Sequence, residues 1–401
     1  MSLVPVEEAL RRLLADTEPL SAETVALADA FDRVLAAPLA ALRTQPPFDA
    51  SAMDGYAVKA ADVAATPTKL KVIGNAPAGR AFQGTLGTGE SVRIFTGAPL
   101  PAGADTIVIQ ENARDLGNGA IEVLEPSLEG RHVRRKGLDF NAGDVLLEKG
   151  RVLDAAALSL AAAANHPAVA VVRRPLVAII ATGDELLPPG STPGPDQIIS
   201  SNAYGVAAAA QAVGARALDL GIAPDQKDAI ASAVRQAVEA GANVIVTLGG
   251  ASVGDHDLVH DVLTGEGMTL DFWKLAMRPG KPLMFGRMGA IRCIGLPGNP
   301  VASLVCSQLF LKPLLARLGD RPFSQDLREA TLMTNIGAND RRQDYIRARI
   351  ELDNHKLTAT PFGTQDSSML RTLSDANGLI VRPPHAPEAK AGSTCQVLML
   401  R

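Results

Sequence analysis

The 401-residue sequence has few cysteines, no excess of basic charge and no long hydrophobic run. Its three cysteines, Cys293, Cys306 and Cys395, form no C-x-x-C pair, which argues against a disulfide framework or a zinc cluster and favours a reducing compartment. A formal net charge of −4 argues against a surface built to neutralise many nucleic-acid phosphates. We therefore expect a cytoplasmic protein without a nucleic-acid partner.

The sequence also shows no run of residues typical of a membrane-spanning or targeting segment. The longest apolar stretch, from Leu153 to Val172, is mostly alanine and contains Asn165, His166 and Pro167. It predicts a core helix followed by a turn rather than a membrane span. The first twenty residues lack the basic start and apolar core of a signal peptide, so no membrane partner is expected.

Four common catalytic motifs are absent: G-x-x-x-x-G-K-[ST], G-x-G-x-x-G after a strand, H-E-x-x-H and G-x-S-x-G. Kinases, nicotinamide-dependent enzymes, zinc proteases and serine hydrolases therefore lose their usual support. Hydrophobic residues make up 47% of the chain, an ordinary globular composition. At roughly 150 residues per domain, the length predicts two to three domains.

The first part of the chain mixes helical and extended patterns. Apolar residues recur at helical spacing over about residues 4–14, and further helices are predicted for 22–35 and 153–165. Between them, residues 44–135 alternate short β-branched runs with Gly/Pro turns, which predicts a small all-β domain inserted into a helical region.

From Pro175 onwards, continuous apolar strands alternate with helices, which predicts a parallel sheet covered on both faces. Ligands of such sheets bind beyond the carboxyl ends of the strands. Alternating runs after Pro322 predict a C-terminal β domain. The predicted fold is multidomain α/β with a central doubly wound, mostly parallel sheet, and its predicted domains are 1–43 with 136–174, 44–135, 175–325 and 326–401.

The first candidate functional element is the segment ATGDEL, which follows the strand VAII. It places the adjacent carboxylates of Asp184 and Glu185 at the end of a strand, where they could hold a divalent cation or move a proton. An isolated G-D-E is more often a solvated turn in which Asp184 only bonds to the backbone.

The second element, TLGGASVGDHD, follows the strand NVIV. Its glycines allow consecutive backbone N–H groups to approach an anion, and Ser252 adds a hydroxyl donor. Asp257 lies where a helix would begin, as expected if a metal bridges an acid and the anion. A glycine-rich packing turn is the alternative. The lone His256 is left out of the catalytic set because it has no partner at ligand spacing.

The third element is GLPGNPVAS, in which Asn299 at the N-cap and Pro300 at the first helical position predict a helix start that can receive an oxyanion. Upstream, Lys274, Arg278 and Lys281 form a cation cluster among Pro and Gly residues. Such a cluster is either a solvated face or a fixed anion site.

Eight motifs in order closely resemble the molybdopterin molybdenumtransferase family, which comprises the bacterial MoeA proteins and the related domain of gephyrin. They are PPFDASAMDGYAV, RIFTGAPLPAGAD, VRRKGLDFNAGD, ATGDELLPPG, SNAYG, GGASVGDHD, FWKLAMRPGKP and GLPGNPVAS. The resemblance spans nearly the whole chain. It implies a central domain of the molybdopterin-binding type with an N-terminal α/β region, an inserted β domain and a C-terminal β domain.

The resemblance also implies a reaction, in which adenylylated molybdopterin and molybdate give molybdenum cofactor and AMP with the help of a divalent cation, usually Mg²⁺. It implies a homodimer whose cleft is shared between subunits, and contact with the molybdopterin adenylyltransferase is a further possibility. Chemically, helix N-termini, glycine turns and the three cations suit molybdate and a pyrophosphate.

Site residues are carried over by motif. The implied catalytic residues are Asp54, Thr96, Asp139, Glu185, Asp225 and Asp257, of which Glu185 and Asp257 would bind the metal. The implied substrate-binding residues are Ser201, Asn202, Gly249, Gly250, Ser252, Gly254, Lys274, Arg278, Lys281, Pro297, Gly298 and Pro300. In the C-terminal part, Ser367 and Ser368 are further candidates. Relatives commonly have Lys where this chain has Arg278, which keeps the charge but offers a planar fork.

Two alternatives remain at this point. A molybdopterin adenylyltransferase would share the TGDE and GGxS elements, but the additional domains argue against it. A scaffold that binds the pterin without turnover, comparable to the receptor-clustering role of gephyrin, is the other. The presence of Asp54, Glu185 and Asp257 favours an active enzyme.

Overall fold

A computed structural model of the chain describes residues 3–249 and 258–400. The described chain divides into two compact units. The first is made from the described parts of Met1–Glu23, Asp32–Ala36 and Val171–Arg401, and the second comprises Thr24–Phe31 and Ala37–Ala170. The domain boundaries expected from the sequence stay predictions.

The N-terminal helix α1 (Val6–Leu14) confirms the amphipathic pattern. Acidic residues occupy its first turn and basic residues its last turn, an arrangement that complements the helix dipole. Ala9 and Leu13 are fully buried on its apolar face. The helix begins two residues later than expected because Val4 forms a bridge with Leu275 instead.

The helix predicted for residues 22–35 is wrong. This segment contains strand β1 (Ala22–Ala26), whose residues alternate between exposed and half-buried, and a 3₁₀ turn (Leu27–Asp29). The β-branched residues Thr24 and Val25 favour the extended conformation. Asp32 has φ of 60°, a left-handed conformation that a continuous α-helix excludes.

The second unit is rich in short strands, as the inserted β segment predicts. Its six-stranded sheet has the order β7-β4-β6-β5-β9-β8. Alternate residues point to opposite faces, so Ala57 and Ile107 pack on one side of the sheet while Val58 and Val108 pack on the other. The elements from residue 39 to 172 are β2 (Leu39–Ala40), β3 (Ala50–Ser51), β4 (Gly55–Val58), a 3₁₀ turn (Ala60–Val63), β5 (Thr68–Ala76), β6 (Glu90–Ile94), β7 (Thr106–Ile109), a 3₁₀ turn (Gln110–Asn112), β8 (Ala113–Gly117), β9 (Ala120–Val123), β10 (Val133–Arg134), β11 (Val145–Leu147), α2 (Ala155–Ala163) and β12 (Ala168–Val172).

The first unit contains the α/β layer that the strand and helix alternation predicts. The central sheet has the order β16-β13-β17-β21-β20-β18; the first four strands run parallel, and β20 and β18 pair antiparallel at one edge. The elements are β13 (Leu176–Thr182), β14 (Leu186–Leu187), β15 (Ile198–Ile199), α3 (Asn202–Gln211), β16 (Arg216–Ala223), α4 (Lys227–Glu239), β17 (Val244–Leu248), α5 (Leu258–Gly265), β18 (Thr269–Phe272), β19 (Met277–Arg278), β20 (Met284–Met288), β21 (Ile291–Leu296), α6 (Pro300–Cys306), a π-helical turn (Ser307–Leu311) and α7 (Lys312–Leu318).

Both faces of this sheet are covered by helices. Ile179 and Val246 pack with residues of α3, α6 and α7, whereas Ile180 and Ile245 pack with residues of α4 and α5. Because both sets of alternating side chains are buried, the strands appear in the sequence as continuous apolar runs. The prediction of a doubly covered, mostly parallel sheet is confirmed.

One described helix is long and apolar enough to span a bilayer by length and composition. It runs from Pro300 to Leu318, and 78% of its most apolar window is buried inside the protein. Leu309, Phe310 and Leu314 belong to the core between helices and sheet. This helix is therefore a core helix of the α/β layer.

The C-terminal part of the first unit is a second sheet, as predicted. Strands β23, β24, β22, β26 and β25 pair in that order, and β25 also pairs with β23, so the five strands close into a ring. Strand β19 adds to this sheet beside β23 rather than to the central sheet. The elements are β22 (Leu327–Leu332), β23 (Gln343–Asp353), β24 (Lys356–Pro361), α8 (Leu370–Asp375), β25 (Gly378–Arg382) and β26 (Thr394–Met399).

Candidate functional site

A cavity of about 940 Å³ lies beyond the carboxyl ends of strands β13, β17 and β21. This is where parallel sheets place their ligands. We call it the carboxyl-end cavity. It is lined by eight of the residues that the sequence analysis selected, namely Glu185, Ser201, Asn202, Asp225, Gly249, Pro297, Gly298 and Pro300, and by Ser368 from the C-terminal part.

Three carboxylates cluster at one side of the carboxyl-end cavity. The backbone N–H of Asp225 donates to Oδ1 of Asp184 at 3.1 Å, and Glu185 lies next along the chain. Burial raises the pKa of Asp225, and the negative charges of Asp184 and Glu185 raise it further. The cluster therefore favours a bound cation or a proton. For Asp184, the sequence predicts either a cation or proton site or a turn residue that bonds to the backbone, and one of its oxygens does accept from a backbone N–H.

A tight backbone turn forms the floor of this cavity. Gly249 has φ of 96°, and a Cβ atom there would lie 2.7 Å from the carbonyl oxygen of Thr182 on the neighbouring strand. Only glycine allows this approach without displacing the backbone. The glycine at this strand end is therefore required by the fold, and it leaves backbone exposed towards the cavity.

The start of helix α6 differs in one respect from the sequence prediction. Pro300 is at the first helical position as expected, but the side chain of Asn299 does not cap the helix. Its Nδ2 donates instead to Oγ of Ser367 at 2.8 Å, and the backbone N–H of Val301 donates to the carbonyl of Ser367 at 3.1 Å. The C-terminal part thus supplies the partner groups, because Ser367 lies against the helix start.

Neighbouring loops are tied together in the same region. Nδ2 of Asn202, the first residue of α3, donates to the carbonyl of Gly298 at 2.7 Å. This bond joins two of the sequence elements that the family resemblance selected.

Five residues singled out earlier lie outside the described residues, so their predicted roles stay predictions; they are Gly250, Ser252, Gly254, His256 and Asp257.

A second cavity, of about 420 Å³, lies in the C-terminal part and is lined by three arginines, Arg278, Arg347 and Arg382. We call it the arginine cavity. Of the three cations predicted to bind the anion, Arg278 lines this cavity, while Lys274 and Lys281 are half-buried and line neither cavity. The structure therefore separates Arg278 from the carboxyl-end cavity.

Arg347 is 1% exposed although it carries a permanent charge. Its Nε donates to Oε1 of Gln365 at 3.1 Å, and its Nη1 donates to the carbonyl of Asp366 at 2.7 Å. Burial lowers the pKa of the Arg347 guanidinium. The negative charge of Asp366 opposes this shift, but both hydrogen bonds of the guanidinium go to uncharged acceptors, so an anion in the cavity would stabilise the buried cation.

Arg278, Asp344 and Arg382 form one row across three neighbouring strands. Arg278 pairs in register with Asp344, and Asp344 pairs with Arg382 on its other side. Arg382 is 8% exposed, and its Nε is buried without a hydrogen-bond partner among the described residues. The three guanidinium groups and the carboxylate give the described lining a formal charge of +2.

A loop over residues 362–368, which we call the serine loop, borders both cavities. Its Gln365 lines the arginine cavity, and its Ser368 lines the carboxyl-end cavity. Nε2 of Gln365 donates to the carbonyl of Arg347 at 3.0 Å, so the loop and the arginine hold each other. Of the two serines selected by the family resemblance, Ser367 lies at the start of α6 and Ser368 lines the carboxyl-end cavity.

In the second unit, Asp54 and Thr96 lie together as a hydrogen-bonded pair. Oδ1 of Asp54 accepts from the backbone N–H and the hydroxyl of Thr96, each at 2.7 Å. These two bonds lower the pKa of Asp54, so its carboxylate stays ionised. Asp139 is exposed, and no hydrogen bond in the described chain joins its side chain to the pair.

Sequence reasoning missed Asp344, Gln365, Arg347 and Arg382. The available signal was the strand QDYIRARIELD, in which charged residues stand among apolar residues that the alternation would bury. Within the residues described, no group of three or more His, Cys, Asp or Glu side chains could hold a metal ion on its own.

Comparison with known proteins agrees with this architecture. Residues 4–165 match the MoeA N-terminal region (domains I and II), 178–317 match a probable molybdopterin binding domain, and 329–400 match the MoeA C-terminal region (domain IV). The molybdopterin molybdenumtransferase of Bacillus subtilis is 35% identical over 99% of this chain and 94% of its own length. The enzyme of the same name from Nostoc sp. is 36% identical over 94% of this chain and 88% of its own length.

A solved structure shows the same fold over the full length. The molybdopterin biosynthesis MoeA protein from Pyrococcus horikosii superposes with a TM-score of 0.85 and 30% sequence identity, and each chain is covered completely. The fold class and the resemblance that the motifs indicated are thereby confirmed. The chain belongs to the molybdopterin molybdenumtransferase family and is a transferase of molybdenum cofactor biosynthesis.

Proposed function

We propose that the chain inserts molybdenum from molybdate into adenylylated molybdopterin and releases AMP. One observation carries this proposal: a large cavity with acids and glycine turns and a smaller cavity with three arginines share the serine loop as a common border. A pterin nucleotide is large, and molybdate is a small dianion. The larger cavity therefore suits the nucleotide, and the smaller cavity with its positive charge suits molybdate.

The pterin nucleotide binds in the carboxyl-end cavity. Its volume of about 940 Å³ is at the upper end of ligand-pocket sizes, roughly 300–1,000 Å³, which suits a nucleotide joined to a pterin. Gly249 and Gly298 expose backbone, and Ser201 and Asn202 add polar groups beside them. Gly250, Ser252 and Gly254 are proposed to complete the phosphate contacts, as the family resemblance implies. The resemblance implies Lys274 and Lys281 as well, but these two residues do not line the cavity.

Molybdate binds in the arginine cavity. It is a tetrahedral dianion, and the described lining carries a formal charge of +2. Guanidinium groups present several N–H donors in a fixed plane and suit oxyanions better than an ammonium group does. Arg382 is 8% exposed and lines this cavity, so its guanidinium adds a third cation to the site.

Mg²⁺ is part of the proposal, and the acids at the carboxyl-end cavity fit it. Repulsion from Asp184 and Glu185 helps raise the pKa of Asp225, and a divalent cation would relieve this repulsion. Glu185, together with Asp257, is proposed to hold the ion, which usually takes one or two carboxylates and substrate phosphates as ligands. When bound, Mg²⁺ neutralises charge on the phosphoanhydride. Asp225 orients the substrate.

The remaining catalytic groups, Asp54, Thr96 and Asp139, are proposed to act from the partner subunit of a homodimer. The second unit exposes large apolar residues that suit a subunit interface, including Leu128 at 77% exposure and Leu138 at 67%. Cytoplasmic location and contact with the molybdopterin adenylyltransferase, which would supply the adenylylated substrate, are also part of the proposal.

The test is AMP release from adenylylated molybdopterin by the purified protein with Mg²⁺, measured with and without molybdate. We expect molybdate to stimulate release, and Glu185→Ala to reduce it about 100-fold or more, as for loss of a positioned catalytic group. Asp196→Ala is the matched control, because Asp196 is an exposed acid outside the cavity lining.

Two results would contradict the proposal. Tight pterin binding without AMP release would favour the non-catalytic scaffold. Formation of adenylylated molybdopterin from molybdopterin and ATP, with no effect of molybdate, would favour the adenylyltransferase.

A further inference from the structure

Within this proposed function, we propose that Asp344 is a positioning residue. It fixes the orientation of Arg278 for the reaction while limiting how tightly the arginine cavity holds its oxyanion. This inference rests on molybdate binding in that cavity. Asp344 is the one carboxylate in the described lining of this cavity. A site that only attracts an anion would not need a negative charge there.

The contact between Asp344 and Arg278 is bidentate. Nε of Arg278 donates to Oδ1 of Asp344 at 2.7 Å, and Nη2 donates to Oδ2. The Asp344 side chain is 7% exposed, whereas that of Arg278 is 51% exposed. A buried carboxylate therefore holds an accessible guanidinium in one plane, and the planar fork of arginine is what makes this double contact possible.

This geometry leaves Nη1 as the nitrogen of Arg278 that Asp344 does not occupy. Asp340 lies 3.9 Å from Nη1, but it is exposed, and its strong contacts are with Arg342. The bonds from Arg342 lower the pKa of Asp340 to about 2. Asp344 thus determines which N–H groups of Arg278 remain for an oxyanion, and Asp340 does not.

The charge of Asp344 has a second effect. It lies in register between Arg278 and Arg382, so it lowers the positive potential at the centre of the row. Without it, the described lining would carry a formal charge of +3. Stronger binding of the substrate alone does not accelerate a reaction, whereas fixed orientation of a charged group does.

The experiment uses the full-length protein and compares Asp344→Asn with wild type, with Asp353→Asn as the matched control, because Asp353 is an exposed acid at the other end of the same strand and outside the cavity lining. We expect Asp344→Asn to bind molybdate about tenfold more tightly in calorimetric titration, because one opposing charge is removed. We expect its kcat for AMP release to fall about tenfold, with the affinity for the nucleotide unchanged, because Arg278 is no longer fixed. Asp344→Glu should restore part of the turnover. Asp353→Asn should match wild type.

Three results would overturn the inference. The first is an Asp344→Asn variant whose molybdate affinity and kcat equal those of Asp353→Asn. The second is weaker binding of both ligands together with a lowered melting temperature, which would make Asp344 only a structural link. The third concerns a wild-type protein without molybdate-dependent AMP release, which would contradict the proposed function. In that protein, an unchanged molybdate affinity of Asp344→Asn would also overturn the proposed role of the Asp344 charge.

Discussion

The two cavities of the first unit are built in opposite ways. The carboxyl-end cavity is formed by backbone turns at strand ends, and its acids are largely accessible to solvent. The arginine cavity is formed by side chains of strands, and two of its three arginines are at least nine-tenths buried. A site built from turns depends on backbone conformation, whereas a site built from buried charges depends on the hydrogen bonds that hold each charge.

This difference explains what the two cavities can bind. Exposed backbone and exposed carboxylates can accommodate a large substrate and a metal ion. Buried guanidinium groups with fixed partners are suited to one small anion of defined shape. We therefore expect substitutions in the carboxyl-end cavity to act through backbone conformation, and substitutions in the arginine cavity to act through lost hydrogen bonds and lost charge.

The largest effect is expected for Arg347→Ala. The change removes the donor to the carbonyl of Asp366 and one of the two donors to Oε1 of Gln365, and it empties a buried site, so we expect a loss of about 2–4 kcal/mol of stability. Molybdate affinity should fall roughly 10- to 100-fold. Arg347→Lys should keep the fold better but still lose affinity, because an ammonium cannot replace the fork.

Chemical denaturation and calorimetric titration measure these two effects. Arg349→Ala is the matched control, since Arg349 is an exposed arginine two residues along the same strand. If Arg349→Ala changed molybdate affinity as much as Arg347→Ala, the buried arginine would not be the recognition element.

A smaller effect is expected for Gly249→Ala in the carboxyl-end cavity. The added Cβ would lie 2.7 Å from the Thr182 carbonyl at a φ of 96°, so we expect about 1–3 kcal/mol of destabilisation and weaker AMP binding. Gly265→Ala is the control, because a Cβ there meets nothing within 4 Å. Molybdate binding to Gly249→Ala should stay as in wild type; a parallel loss would show that the cavities are not independent.

The smallest effect is expected for Asp225→Asn. Burial and neighbouring acids raise the folded-state pKa of Asp225 above its ordinary value of 3.8. Its contribution to stability is therefore complete below that value and is lost as the pH rises through the raised pKa. Relative to wild type, Asp225→Asn should gain stability between pH 4 and neutrality, by less than about 1 kcal/mol because the group is largely solvated. A denaturation series over pH that showed the opposite trend would contradict this electrostatic account.

The two cavities also differ in how much of each could be predicted from the sequence. The carboxyl-end cavity was predicted because its residues stand in short, turn-rich motifs directly after apolar strands, and parallel strands bring such ends together. Gly249 and Pro300 are recognisable from local sequence alone, whereas Asn202 was selected through the family resemblance. The family resemblance added Ser367 and Ser368, whose contact with the helix start no local pattern indicates.

The arginine cavity could not be predicted because sheet pairing determines it. Arg278, Asp344 and Arg382 are far apart in sequence and become neighbours only through the pairing of β19 with β23 and of β23 with β25. Propensity also failed over residues 22–35, where extended backbone and a left-handed Asp32 replace the expected helix. In the first case the pairing of distant strands creates the site, and in the second the pairing of β1 with β12 and the left-handed Asp32 exclude the helix.

The central claim is that the oxyanion and the nucleotide occupy different cavities. The most direct test is anomalous diffraction at the molybdenum edge from crystals of the full-length protein soaked in molybdate. The account predicts a single strong peak among the guanidinium groups of Arg278, Arg347 and Arg382. A peak in the carboxyl-end cavity beside Gly249 and Gly298, with none in the arginine cavity, would contradict it.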